Sequence, residues 1–213
     1  MEKNTTPVEQ QPEDVVSKAR AHKNTFVGIA IAFLVLMAGF ILWNWYAQKS
    51  SAEADEKVAL ADMEPNDSLA LALYQEAATA GYPAGNRAKA EAAIRLYRQG
   101  KYAEAAEYLS DCDLSDNIAE AGVKTLEGDC YVNLEQYDRA LDCFKTAVRK
   151  ADGNPQIVPF ILVKEANIYR AQNNYSAEAE AYRTIVEQYP QYTAGGVDIR
   201  ALYERARAQA AAN

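Results

Sequence analysis

Three cysteines, Cys112, Cys130 and Cys143, and a single histidine, His22, are the residues that could ligate a metal or act as activated nucleophiles. Their spacing argues against both. No two cysteines form a CxxC pair, the spacing from which zinc sites are commonly built. His22 precedes a long apolar segment and the cysteines follow it, so the histidine is expected outside the folded domain. No His-based catalytic constellation can then form there. The cysteines read as small buried apolar residues in helices. The alternative is one disulfide with a thiol left over, in an oxidising compartment. Asp111 and Asp113 lie near Asp116 at a predicted helix end and read as solvated turn residues, not an acid–base pair. Glycine-rich phosphate loops, HExxH and GxSxG are absent. Catalysis, metals, cofactors and small-molecule substrates are therefore not expected. The net charge of -8 argues against nucleic acid, whose phosphates an acidic domain repels. Other proteins remain as partners.

The elements that would position such partners begin with residues 26–46, FVGIAIAFLVLMAGFILWNWY, a run with no charge. At ~1.5 Å per residue it spans ~30 Å, the thickness of a bilayer's hydrocarbon core. Eleven of its residues are Leu, Ile, Val or Phe, favouring insertion by about 3–7 kcal/mol. Trp43, Trp45 and Tyr46 surround Asn44 as an interfacial aromatic belt. The run exceeds the usual signal-peptide core, so an uncleaved anchor in membrane lipid is expected. Lys18, Arg20 and Lys23 precede it, and Glu53, Asp55 and Glu56 follow. That bias keeps residues 1–25 in the cytoplasm and exports the rest. The first 17 residues lack apolar periodicity and read as a disordered tail.

Beyond the anchor the sequence repeats. Residues 122–148 align with 160–190 at an offset of 38: Gly128 with Ala166, Tyr131 with Tyr169, Tyr137 with Tyr175, Phe144 with Tyr182. In residues 86–112, Ala93, Leu96, Tyr102, Ala105 and Leu109 precede Gly128, Tyr131, Tyr137, Ala140 and Phe144 by 35. This order of small and aromatic residues resembles the tetratricopeptide repeat, a helix–turn–helix of 34 residues. The resemblance implies close helix crossings at Gly128 and Ala140, aromatic wedges at Tyr131, Tyr137 and Phe144, the small Ala147 after them, and a closing Pro190. Glu178 and Cys112 depart from the family's pattern. The expected fold is all-α: a transmembrane helix, then a right-handed stack of helical hairpins. Residues 47–85 would hold a linker and a degenerate first hairpin, with Asp67 as N-cap of a helix ended by Gly81. Residues 86–190 would hold three repeats, and residues 191–213 a capping helix.

Such a stack leaves a concave face lined by the first helix of each repeat. Helical spacing directs Arg87, Ile94, Tyr97 and Arg98 there from the first copy. Thr125, Asp129 and Asn133 come from the second, and Phe160, Val163, Asn167 and Arg170 from the third. This mixture of apolar, amide and guanidinium groups suits an extended peptide. Over its length the chain resembles the YfgM-like ancillary subunits of the bacterial Sec translocon. The resemblance implies an inner-membrane anchor, a periplasmic repeat domain, and translocon subunits and periplasmic chaperones as partners. A structural adaptor for cell-wall or outer-membrane assembly is the alternative reading.

Overall fold

The computed structural model describes residues 12–81 and 83–212, with side chains from Val27 onward. Its helices are α1 (Pro12–Met63), α2 (Asp67–Ala77), α3 (Ala84–Arg98), α4 (Tyr102–Ser110), α5 (Asn117–Asn133), α6 (Tyr137–Ala151), α7 (Ile157–Ala171), α8 (Tyr175–Gln188) and α9 (Ile199–Ala212). The only β pairing among the described residues is an isolated bridge, Ala194 to Val197. Two compact units divide the chain, residues 1–49 and 50–213.

In the first unit, the described side chains of α1 are exposed on every face from Val27 to Tyr46. A helix apolar all round has no polar side to offer water. This one is long and apolar enough to cross a membrane, a property shared by signal sequences near an N-terminus. Lys49 Nζ lies 5.9 Å from the ring centroid of Trp45, a cation–π contact beside the aromatic belt. Residues 12–17, read as part of a disordered tail, are helical in α1, and residues 1–11 lie outside the described part.

The second unit is a succession of antiparallel helix pairs. No linker opens it: residues 50–63 belong to α1 and bury Ala54, Val58 and Ala61, an i, i+4, i+7 stripe. Lys57 pairs with Glu76 of α2 at 2.5 Å, and the Tyr74 hydroxyl donates to the Asp62 carboxylate. The N-cap of α2 is Asn66, not Asp67. Asn66 is extended (φ -87°, ψ 110°), and its Oδ1 accepts from Ser68 N at 3.0 Å and Leu69 N at 3.2 Å. Asp67 is already helical, where its charge still favours the positive end of the helix. α2 ends at Ala77, four residues before Gly81.

α3–α4, α5–α6 and α7–α8 form the three repeats, each helix packing mainly on its neighbours in sequence. Their turns share one geometry. Gly100, Glu135 and Asn173 hold the same repeat position, and all are left-handed, at φ 76°, 57° and 57°. The following amide then bonds back five residues: Lys101 N to Leu96 O at 2.9 Å, Gln136 N to Tyr131 O at 2.8 Å, and Asn174 N to Tyr169 O at 2.8 Å. These are Schellman closures that satisfy orphan carbonyls at each first helix's end. The core between the pairs joins large apolar and small residues: Leu96, Leu109, Phe144, Tyr182, Ala93, Ala105, Ala140, Ala147 and Ala166 are fully buried. Gly128 is there because α5 and α6 approach closely. A Cβ at that position would lie 2.4 Å from Phe144 Cε1.

α9 closes the array, burying Ile199 and Ala206 with Leu202 and Tyr203 half-buried. It also explains Glu178, the residue that departs from the repeat pattern. That carboxylate is fully buried, and Arg205 of α9 reaches it at 2.7 Å. A buried charge needs such a partner.

Candidate protein-binding groove

Alternation of first and second helices places α3, α5 and α7 side by side along one face of the stack. α5 lies between α4 and α6, and α7 between α6 and α8. Only a strip of each first helix therefore stays open, and polar ties run across those strips. Asn133 Nδ2 donates to the Tyr97 hydroxyl at 3.4 Å, joining α5 to α3. Lys164 of α7 donates to both carboxylate oxygens of Asp129 on α5, at 2.8 and 3.0 Å. The same ammonium lies 4.8 Å from the centroid of Phe160, which is 48% exposed. Tyr97 is braced from below by Tyr102, ring centroids 5.3 Å apart and edge to face.

Between α5, α6 and α7 this face holds a cleft of about 270 Å³. Val132, Tyr137, Phe144, Ile168 and Ala171 form its apolar floor, and Asp129, Lys164 and Asn167 its polar rim. An apolar floor with few polar groups at the edge can seat a bulky apolar side chain while the rim fixes the backbone beside it. Burial pushes the Asp129 carboxyl upward, and the Lys164 contact opposes that rise. Burial also raises the Tyr97 phenol, which stays neutral and able to donate.

Of the residues directed to this face by spacing, Asp129, Asn133, Asn167 and Tyr97 meet at the cleft or in its ties. Phe160 and Arg170 stand exposed on α7, and Arg170 donates to Asn167 Oδ1 at 3.1 Å. Arg98 is exposed at the end of α3, and Ile94 and Val163 are half-buried. Arg87 is tied to α1 through Asp62 at 2.9 Å. Thr125 does not belong to an open surface. It is buried, and its hydroxyl donates to Ala121 O one turn earlier, at 2.7 Å. α4 and α6 cover α5 on both flanks more widely than helical spacing alone indicates. Lys164 joins the face unanticipated, and its signal in the sequence was the charge-complementary Asp129 on the preceding repeat.

Among the aromatics assigned to packing, Tyr131 is buried and stacks under Arg139, the guanidinium carbon 3.9 Å from the ring centroid. Tyr102, Tyr137 and Tyr175 are half-buried first residues of α4, α6 and α8, and Tyr169 is half-buried on α7. Pro190 lies just beyond α8, the second helix of the third repeat. It is exposed and lines a hollow of about 360 Å³ between α8 and α9 with Ile185, Tyr192 and Ile199. All three cysteines are free thiols. Burial pushes them up, Cys112 to about 11 and Cys130 and Cys143 to about 12. They are protonated and inert at neutral pH.

Residues 125–193 match the family model for the tetratricopeptide repeat. No curated protein sequence matches the chain. Among solved structures, the fold is similar to the crystal structure of BtubC (BKLC) from P. vanneervenii. The TM-score is 0.53 at 16% identity, covering 78% of this chain and 85% of that one. The likeness is one of fold: a stack of tetratricopeptide-type helical hairpins, an architecture that serves protein–protein interaction.

Proposed function

We propose that this protein is a membrane-anchored scaffold whose α3–α5–α7 face holds an extended polypeptide. The cleft between Asp129, Asn167 and the Phe144 floor carries the reading, because it offers an apolar seat and backbone-binding groups on the same face. The apolar residues 26–46 serve as anchor, and the basic flank at Lys18, Arg20 and Lys23 holds the N-terminus in the cytoplasm. The repeats then work on the periplasmic side of an inner membrane. Exported polypeptides leaving the Sec translocon, and the chaperones that receive them, are the partners this placement suits.

The test is capture of partners in native membranes. Tyr97→Ala or Arg170→Ala should weaken capture about thirtyfold if either is a hot spot worth ~2 kcal/mol. Helicity and membrane insertion should be unchanged. Arg183→Ala, on the exposed side of α8, should change nothing. Crosslinks from a photoreactive residue at Asn167 should reach translocon subunits or exported chains. Crosslinks to cell-wall or outer-membrane machinery would favour the adaptor reading, and wild-type capture by both groove variants would remove the groove.

A further inference from the structure

Glu127 and Glu165 hold the same place in successive repeats, 38 residues apart, each directly before the small crossing residue, Gly128 or Ala166. Both are buried, at 5% and 7% exposure. Three residues before Glu127, Lys124 supplies an ammonium that donates to Glu127 Oε2 at 2.7 Å. Three residues before Glu165 the chain has Leu162 instead. The second repeat thus pairs its buried carboxylate and the third does not. No donor reaches Oε1 of Glu165.

The groups around Glu165 do not make up for the missing lysine. From α6, the charge that acts on it is Lys145, which is solvent-exposed. On α7 itself, Tyr169 is the ionisable neighbour. On α8, Glu178 is engaged by Arg205 of α9. That pair, with Arg170, acts on Tyr182.

We propose that Glu165 is a proton-controlled fastener of the third hairpin. Neutral, it lets α7 seat fully between α6 and α8. Ionised, it must be hydrated, and α7 opens more often. The physical cause is burial, which pushes the carboxyl from 4.5 to about 7, with Lys145 opposing the rise. In the window between those two values the closed state keeps a proton that the open state releases. Closure is therefore firmest at the acidic side, weakens as pH rises through the window, and levels off above about 7. The fastened helix is the one that carries Phe160, Lys164 and Asn167, but the inference requires no partner and stands apart from the groove reading.

Hydrogen–deuterium exchange of the full chain in lipid nanodiscs reads helix opening directly. After correction for intrinsic exchange, wild-type α7 should lose protection on the order of thirtyfold between about pH 5.5 and pH 8. α5, whose Glu127 is paired, should lose little over the same range. Glu165→Gln should keep α7 at its acid-side protection throughout. Leu162→Lys should restore the partner of the second repeat and hold α7 closed at pH 8. It also decides the matter if the glutamine variant folds poorly. An α7 response to pH that is absent in wild type, or that survives both substitutions, would overturn the proposal.

Discussion

At Gly128 two opposing effects can be weighed. Alanine in a helix interior is favoured over glycine by about 1 kcal/mol. Its Cβ, however, would lie 2.4 Å from a ring carbon of Phe144, and that ring is fully buried. Overpacking typically costs ~1–3 kcal/mol, so Gly128→Ala should lower the urea midpoint. Phe144→Leu in the same chain should recover part of the loss, because the two sites share the contact. The crossing residue was legible in the sequence, since small–aromatic order recurred at a fixed offset. Glu178 was not. It read as a breach of the pattern because Arg205, which satisfies it, lies 27 residues away on a different element. Thr125 failed for another reason: a helical wheel gives direction but not how widely the neighbours α4 and α6 overlap it.

The hairpin turn is the recurring element, and its left-handed residue changes from copy to copy. Gly100 adopts φ 76° without a Cβ to clash, and Asn173 belongs to a type that tolerates this region. Glu135, at φ 57°, pays the steric cost of a side chain there, about 1 kcal/mol. Glu135→Gly should therefore raise stability by roughly 0.5–1 kcal/mol, after allowing for the added freedom of the unfolded chain. Asn173→Gly should be close to neutral, and chemical denaturation of both would check the contrast. Helix existence was legible from the repeat, whereas helix ends were not. Asn66 and Asp67 are both good caps by type, and what separates them is the extended backbone of Asn66 and the two amides its side chain accepts from. The extension of α1 back to Pro12 left no mark that apolar periodicity could detect, because polar helical residues lack it, whereas its extension to Met63 does carry a stripe, Ala54, Val58 and Ala61.

For the whole chain, the charge asymmetry around residues 26–46 makes orientation testable. Protease added to spheroplasts should digest residues 50–213 and spare the N-terminal segment. Protection until lysis would reverse the orientation. The class of the molecule was legible because a repeat announces itself many times. The cleft was only partly so, since Lys164 joins Asp129 across 35 residues, one full repeat. That nearest-neighbour stacking also bears on how quickly the domain is made. Each helix finds its main partners within a few dozen residues along the chain, so little loop entropy is spent before a contact forms. A topology rich in such near-neighbour contacts folds faster than one built on distant pairings. A hairpin can therefore bury its aromatic wedge before the rest of the chain has folded, and the last repeat is completed when Arg205 of α9 pairs with Glu178.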